Sequence, residues 1–310
     1  MRNTSIFSIL TSCVLISIYS ITLAKPPKSK TTENNNLLDK PLDSNHSLLW
    51  QISGNGLSKP SYLYGTIHII PQEDFFIGKN VTKKIEHSDE LVMEVDLNDM
   101  DIISIAKLSL LDSNKNIKDY LSDSDYTTLL NFMTDTVGIE KNMFNMVYAR
   151  MKPFYVEQLL FLKHIGAEKE SYEETFKAIS DRKKIPQTGL ETFEEQLKFI
   201  DEISLDEQFS SLVETIKTYT EQTKKLDKLI NDYKHQNLDE LTKSFMDEEN
   251  SSIKDKLVDK RNQQWIPKIT NLIKNKSCFI AVGAGHLGGE NGVIQLLKDK
   301  GYIVEPISIN

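Results

Sequence analysis

Several features that stabilise or define other classes of protein are scarce in this sequence. Of 310 residues only 2 are cysteines, so a disulfide framework is excluded. Lys and Arg number 37 against 45 Asp and Glu, the net charge is −8 and no basic stripe occurs, so we expect no nucleic-acid partner. No repeat of fixed period occurs, which excludes a solenoid. With 39% hydrophobic and 26% charged residues, the chain is typical of a globular protein.

The N-terminal segment contains the one long hydrophobic run. Met1 and Arg2 precede an apolar stretch at residues 6–23, and Ala24 stands before the polar Lys25. This order is typical of a secretory signal peptide, so we predict one at residues 1–24. Its cleavage would place the protein in the periplasm or outside the cell, without stable membrane insertion. The alternative is an uncleaved run that anchors the protein in the membrane.

The segment after the predicted signal peptide, residues 25–47, is rich in Lys, Asn, Ser, Thr and Pro. This composition predicts a flexible leader, because it offers little apolar surface to bury. Cleavage would remove Cys13 and leave Cys278, which lies in an apolar run and is predicted to be a small buried hydrophobe.

Strand patterns begin the remaining chain, residues 48–310, which is predicted to form a single domain. Residues 48–52 and 61–64 flank the turn Gly54-Asn55-Gly56, a pattern that predicts a β-hairpin. A third apolar strand is predicted at residues 90–97.

The C-terminal segment has the pattern of a strand, a helix and a second strand, at residues 277–282, 290–300 and 302–307. Such a unit favours a parallel pair of strands joined by a right-handed crossover.

Between about residues 100 and 275 the hydrophobic period is mostly helical. Ser124 is predicted to cap a helix that runs to Thr136, and Ser204 to open a long helix that extends to Tyr219. The predicted fold class is therefore α/β, with a central mixed or parallel sheet made by the N- and C-terminal segments and a large helical insertion between them.

Two Gly-x-x-His motifs each follow an apolar strand directly. They are Gly65-Thr66-Ile67-His68 and Gly283-Ala284-Gly285-His286. Ligand and catalytic groups gather beyond the carboxyl ends of strands in α/β sheets, where glycine allows sharp turns. We therefore predict that His68 and His286 belong to one site. The alternative is that each histidine is a hydrogen-bonding group in an unrelated loop.

Glu94 interrupts the apolar residues of the third strand and is predicted to be buried. A buried carboxylate needs a partner, because burial without one costs several kcal/mol. The partner is either an arginine, with Arg150 and Arg261 as candidates, or a metal ion shared with His68 and His286.

Glu191 is a second acidic residue next to a predicted strand. Residues 185–190 have the pattern of a short strand, and Thr192 opens a capping box that starts the next helix. Glu191 is either an outer residue of the same site or an exposed acid that favours the helix dipole.

Five segments resemble the TraB/GumN family in order and spacing, and the resemblance extends from about residue 50 to residue 307. The segments are residues 63–68, 91–96, 189–197, 261–265 and 282–293. The first and last, which contain the two Gly-x-x-His motifs, are the most specific.

The resemblance implies a fold like that of erythromycin esterases and a haem-binding group. It also implies kinship with Tiki proteins, which are metal-dependent proteases acting on secreted signalling proteins, and with TraB-type pheromone shutdown proteins. The site residues that it implies are His68, His286, Glu94, Arg261 and Asn262.

The leading hypothesis is an exported, metal-dependent hydrolase that acts on a peptide or on another amide or ester. His68 and His286 would bind a divalent ion, with Glu94 as a third ligand or as the base. Arg261 and Asn262 would stabilise the oxyanion of the reaction. The donor atoms suit Zn, Mn or Co without choosing among them.

Two other functions remain open at this stage. The same cleft would serve a binding protein that sequesters a peptide pheromone or haem without turnover. A structural or interaction protein would instead present its acidic helices to a partner. The oligomeric state is not indicated by the sequence.

Overall fold

A computed structural model describes residues 46–99, 101–112, 114–245 and 255–310 of the chain. The predicted signal peptide and all but the last two residues of the predicted leader lie outside these residues. Within the described ranges no helix is long and apolar enough to cross a bilayer.

The core of the protein is a mixed sheet of six strands in the order β6-β4-β7-β2-β1-β8. The strands of the described chain are β1 Leu49–Ser53, β2 Ser61–Thr66, β3 Ile69–Pro71, β4 Glu90–Met93, β5 Lys169–Ser171, β6 Gln187–Gly189, β7 Cys278–Gly283 and β8 Ile303–Pro306. Strands β6, β4, β7 and β2 are parallel, and β1 is antiparallel to both β2 and β8. A separate antiparallel pair is formed by β3 and β5.

Most of the segment between β4 and β7 is helical, as predicted. The α-helices of the described residues are α1 Lys79–Glu86, α2 Ile102–Leu108, α3 Asp123–Asn131, α4 Lys141–Met146, α5 Pro153–Ile165, α6 Tyr172–Lys183, α7 Phe193–Asp201, α8 Leu205–Lys217, α9 Tyr219–Lys234, α10 Leu238–Phe245, α11 Lys260–Ile273 and α12 Val293–Asp299. The structure confirms the α/β fold with a helical insertion.

Both faces of the sheet are buried, because successive side chains of a strand point to opposite faces. On β7, Phe279 and Ala281 pack into one hydrophobic cluster with residues of α6 and α9, whereas Ile280 and Val282 pack into another with residues of α11 and α12. Every residue of β7 is buried, as is usual for a central parallel strand. Cys278 begins this strand, and burial raises the pKa of its thiol to about 12, so it packs as a neutral group.

The predicted hairpin is confirmed, with Leu49 opposite Tyr64. Gly54, Asn55 and Gly56 have φ values of 75°, 46° and 78°, in the left-handed region that glycine and asparagine tolerate best. The predicted pairing of the two C-terminal strands is wrong. Strand β8 runs in the same direction as β7 but pairs with β1, because the β1–β2 hairpin lies between them.

Several predicted boundaries also shift. The third strand ends at Met93, so Glu94 lies just beyond its carboxyl end. Ser122, rather than Ser124, caps α3, which gives way to a π-helical turn at Phe132–Val137. The long helix predicted from Ser204 is divided at Thr218, and its second part is α9.

Glu157 is a buried carboxyl group between α5 and α8. Its Oε1 accepts hydrogen bonds from the hydroxyl groups of Ser211 at 2.9 Å and Thr215 at 2.6 Å, whereas its Oε2 has no hydrogen-bond partner. Burial raises the pKa of Glu157 to about 7, even though the two hydroxyl groups lower it.

We predict that Glu157→Gln stabilises the protein at pH 8 but not at pH 5. The folded protein binds the Glu157 proton more tightly than the unfolded chain does, so stability falls as the pH rises from 4.5 to about 7 and stays low above that. The loss is roughly 3 kcal/mol, and the variant should be free of it. Urea unfolding at both pH values measures the difference. The exposed Glu221→Gln should leave the pH profile unchanged, and equal gains at pH 5 and pH 8 would contradict the prediction.

Candidate metal and catalytic site

Four side chains converge from the carboxyl ends of the four parallel strands. His68 follows β2, Glu94 follows β4, Glu191 follows β6, and His286 lies in a 3-10 turn directly after β7. The carboxyl ends of parallel strands meet at one edge of a sheet, which explains why residues so distant in sequence meet. Their exposed fractions are 0%, 3%, 6% and 0%, so the site is closed to solvent in this state.

Gly65 is the residue at which the two Gly-x-x-His motifs touch. A Cβ atom at Gly65 would lie 2.6 Å from Leu287 Cδ1 and 3.1 Å from Ala284 Cα. Only glycine lets β2 approach the turn that carries His286 this closely. Gly65, the first glycine of its Gly-x-x-His motif, is therefore needed for packing. The histidine of each motif supplies the functional group.

Both imidazole rings face the same oxygen atom. Glu94 Oε1 lies 3.8 Å from His68 Nε2 and 3.8 Å from His286 Nε2. The backbone N–H of Gly283 donates to this oxygen at 2.7 Å and so orients the carboxylate. His68 Nε2 is buried and has no hydrogen-bond partner. A buried polar atom without a partner is costly and marks a site with an unmet interaction.

The other nitrogen of His68 is held by a carboxylate that the sequence analysis did not single out. His68 Nδ1 donates to Glu173 Oε1 at 2.7 Å, and the hydroxyl group of Thr66 donates to the same oxygen at 2.7 Å. Burial alone would lower the pKa of His68, but the charge and hydrogen bond of Glu173 outweigh it and raise the pKa. The same pair holds the pKa of Glu173 below its usual value against the opposing effect of burial.

His286 is held in the corresponding way by an amide. Its Nδ1 donates to Asn262 Oδ1 at 2.7 Å, and Asn262 Nδ2 donates to the carbonyl oxygens of His286 at 3.3 Å and Asn291 at 2.8 Å. Burial, with the charges of Arg261 and His68, lowers the pKa of His286 well below its usual value. His286 is therefore neutral, with its lone pair on Nε2.

Arg261 is the cationic partner of Glu94, and Arg150 lies elsewhere, in the turn before α5. Arg261 Nη2 donates to Glu94 Oε2 at 2.5 Å and to Glu191 Oε1 at 2.6 Å, and Nε donates to Glu191 Oε1 at 3.0 Å. Nη1 lies 3.2 Å from His286 Nε2. The guanidinium group is 1% exposed, so this is a buried ion cluster.

Two further side chains complete the hydrogen bonds of the carboxylates. Trp265, one turn after Arg261 on α11, donates from its indole nitrogen to Glu191 Oε2 at 3.0 Å. Gln196 on α7 donates to Glu94 Oε2 at 3.2 Å and to Glu191 Oε1 at 3.1 Å. Glu191 is thus part of the site and is not an exposed acid at a helix start. Burial raises its pKa despite the opposing charge of Arg261.

The charges of the site favour a bound cation. The buried carboxylates of Glu94 and Glu191 share the single guanidinium group of Arg261, and the buried carboxylate of Glu173 pairs with His68, whose pKa it raises. A low-dielectric interior amplifies such an imbalance.

The donor atoms fit a divalent metal ion. Two Nε2 atoms and a carboxylate oxygen are a common ligand set, and each Nδ1 is bound to an oxygen, as in histidines that ligate metals. In the described part of the chain no group of three His, Cys, Asp or Glu side chains has the geometry of a metal site as it stands. Two of these candidate ligands already contact Arg261, which binds Glu94 and lies against His286 Nε2.

The structure brings together His68, His286, Glu94, Arg261, Asn262 and Glu191, the residues that the sequence singled out. It adds Glu173, Gln196 and Trp265. Gln196 and Trp265 lie within segments that resemble the TraB/GumN family, which is a usable signal. Glu173 lies in the first turn of α6, where an acid is ordinarily explained by the helix dipole, so its sequence position conceals its contact with His68.

Comparison with known proteins identifies the family of the chain. The model of the TraB/PrgY/gumN family matches residues 48–306, and the chain belongs to this family. It is 25% identical over 318 residues to Metalloprotease TIKI1 of Danio rerio, an alignment that covers 86% of this chain and 64% of the relative. It is 25% identical over 322 residues to Metalloprotease TIKI2 of Xenopus tropicalis, covering 86% of this chain and 61% of the relative.

The chain thus spans less than two thirds of the length of these two relatives. A sponge protein, the Metalloprotease TIKI homolog of Amphimedon queenslandica, is 35% identical over 63 residues, which are 19% of this chain and 12% of the relative. No solved structure matches the chain.

We predict that Arg261→Met lowers the stability of the metal-free protein by about 3 to 5 kcal/mol, because it leaves Glu94 and Glu191 buried without their cation. Denaturant unfolding in EDTA at neutral pH measures this. Lys268→Met, which removes a half-exposed cation from the same helix, should change stability by less than about 1 kcal/mol. Equal effects of the two substitutions would show that the buried cluster is not a stability determinant.

Proposed function

We propose that this protein is a metal-dependent hydrolase that cleaves a peptide or another amide or ester bond. The observation that carries the proposal is the pair of buried Nε2 atoms, each 3.8 Å from Glu94 Oε1, one of them without a partner. Family membership and the similarity to proteins named as metalloproteases support the same class of reaction.

In this proposal His68, His286 and Glu94 hold a divalent ion, and Zn, Mn or Co suits their donor atoms. When bound, such an ion acidifies a water molecule and polarises the carbonyl group of the substrate. In this scheme Glu94 would be either the third ligand or the base that accepts the proton of that water. Glu173 and Asn262 fix the Nδ1 atoms, so both Nε2 lone pairs stay directed at the site.

Arg261 has a second role in this scheme. Its Nη1 donates to the Leu257 carbonyl oxygen at 3.0 Å and lies 3.2 Å from His286 Nε2, so in this scheme Arg261 would stabilise the developing negative charge through its own positive charge and not through a free N–H group. Asn262 orients His286, because both ends of its amide are committed to His286 and Asn291. In the proposed scheme it is therefore a positioning residue, and Arg261 alone stabilises the oxyanion.

The proposed place of action is outside the cytoplasm, in the periplasm or secreted. The signal-peptide pattern of residues 1–24 supports this, and an uncleaved N-terminal anchor is the alternative. The proposed substrate is a peptide or small molecule, since the names of the relatives point to proteolysis and the acidic net charge of −8 disfavours nucleic acid.

A second candidate function is sequestration of a peptide or haem without turnover. The close pairing of Glu94 with Arg261 favours it, because a carboxylate neutralised by a guanidinium group is a poor base. The complete burial of both imidazoles points the same way, since a substrate reaches them only after covering segments move. The two functions differ in the amount of product formed per protein.

The test of the proposal uses the purified full-length chain and its His286→Ala variant, with His164→Ala as a matched control. His164 is a partly exposed histidine that pairs with Asp227 on the surface. We expect the wild type and the control to bind about one divalent ion and to release product well beyond one equivalent from a mixed peptide library. His286→Ala should lose both properties while remaining folded.

Metal content by mass spectrometry and product by chromatography measure these outcomes. Equal metal content and equal hydrolysis in wild type and His286→Ala would refute the proposed site. Depletion of peptide that stops at one equivalent would favour the sequestering protein instead.

Glu173→Gln tests how His68 is held. We expect it to weaken metal binding by about 10-fold to 100-fold, because the carboxylate fixes the ring and raises the basicity of its other nitrogen. Glu174→Gln alters the next residue of the same helical turn and should bind metal as the wild type does, because it is Glu173 that holds His68 Nδ1. Calorimetric titration with Zn²⁺ or Mn²⁺ measures both, and equal affinity in the two variants would contradict the assignment.

A further inference from the structure

A groove of about 510 Å³ lies at the edge of the sheet that ends with β6. All three residues of β6 line it, together with residues that follow β4 and the start of α7. The lining residues are Asp96, Asp99, Gln187, Thr188, Gly189, Glu191, Thr192, Phe193, Glu194, Glu195 and Lys268. The groove therefore runs along an open strand edge.

The outer edge of β6 carries backbone groups that nothing in the described chain pairs with. On the inner side, the Pro186 carbonyl accepts from Leu91 N–H, and Leu190 N–H donates to the Met93 carbonyl. Backbone direction alternates along a strand, so the N–H and C=O groups of Gln187 and Gly189 point away from β4. Such an edge is a template for another extended chain.

The walls of the groove are acidic. Asp96, Asp99, Glu194 and Glu195 are among its lining residues. Lys268 is the one basic residue among the lining side chains, and it is already engaged, donating to the Leu190 carbonyl at 2.6 Å. The groove therefore complements a positively charged occupant.

The groove is continuous with the site through Glu191. This residue lines the inner end of the groove, and its carboxylate is bound by Arg261, which also binds Glu94. Glu191 is thus a residue that the groove and the buried cluster share.

We propose that an extended peptide with Lys or Arg at alternate positions binds in this groove as an added strand on β6. This inference rests on the proposed hydrolase and specifies its substrate class. Main-chain hydrogen bonds to Gln187 and Gly189 hold the peptide, and the acidic walls select its side chains. Alternate side chains of an extended segment share one face, so every second residue meets the carboxylates.

The main-chain part of the proposal is tested by Gln187→Pro, with Gln187→Ala as the matched control. Proline removes the outward N–H and is tolerated at a strand edge, because the bonds to β4 come from the neighbouring residues. Both variants lose the side-chain contacts of Gln187 to Asn98 and Asp181. Only Gln187→Pro should bind the peptide more weakly, by about fivefold to tenfold.

The probes are three short fluorescent peptides in which Val or Thr alternates with Lys, with Gln or with Glu. Fluorescence anisotropy in EDTA at low salt measures binding without turnover. We expect the Lys peptide to bind at least about tenfold more tightly than the Glu peptide, and added salt to reduce the difference. Two further versions of the Lys peptide carry N-methyl groups on either the odd-numbered or the even-numbered backbone nitrogens. One version should lose binding and the other should keep it, because only every second N–H of an added strand faces β6.

Asp99→Asn combined with Glu194→Gln tests the walls. The control removes two exposed acids from helix starts elsewhere, Asp123→Asn with Asp206→Asn, at the same change in net charge. Only the groove variant should reduce the preference for the Lys peptide. Equal effects of the two pairs would mean that charge at long range, and not this groove, attracts the peptide, and would overturn the proposal.

These experiments distinguish a failure of the proposed peptide groove from a failure of the proposed hydrolase. Binding that depends on Gln187 and on the walls supports the groove even if no peptide is cleaved, in which case only the proposed function fails. Hydrolysis that depends on His286 but is indifferent to every groove variant supports the hydrolase and refutes the groove. Equal affinity for the Lys and Glu peptides also refutes it.

Discussion

The burial of Arg261 between Glu94 and Glu191 is the constraint on which the rest of the structure depends. A charge removed from water must be paired and hydrogen-bonded, so the guanidinium group and the two carboxylates can be buried only together. The carboxylates follow the ends of β4 and β6, and the arginine is the second residue of α11. Their pairing therefore fixes where this helix crosses the sheet, and the helix then places Asn262 against the ring of His286.

The ion pairing that stabilises Arg261 and Glu94 also engages groups of the candidate site. As it stands, Arg261 satisfies Glu94 and occupies the side of His286 Nε2, whereas His68 Nε2 is left without a partner. Proteins commonly keep such local conflict at functional sites and offset it elsewhere, here in a sheet that is buried on both faces.

The features that the sequence predicts correctly are those that depend on residues close together in the chain. The hairpin, the α/β class and the burial of Glu94 follow from patterns within a few residues, and the structure confirms them. The two Gly-x-x-His histidines are visible as local motifs, and the structure brings both rings to the same oxygen atom of Glu94. The partner of β8 and the contact of Glu173 with His68 depend on residues more than 100 positions away, for which local periodicity carries no information. Helix ends are predicted less exactly than the hairpin but better than the partner of β8. At the start of α3, for example, Ser122 and Ser124 are both suitable N-cap residues, and the structure uses Ser122.

The position of β7 has a consequence for how the protein matures. This strand comes from the C-terminal part of the chain, yet it is inserted between β2 and β4 and carries His286 at its end. Until it has been synthesised, the two N-terminal strands lack the neighbour that joins them, and folding must await contacts between distant segments. A partly made chain therefore lacks both the strand that joins β2 to β4 and the histidine that follows it, so the cluster around Glu94 forms only after β7 has been inserted.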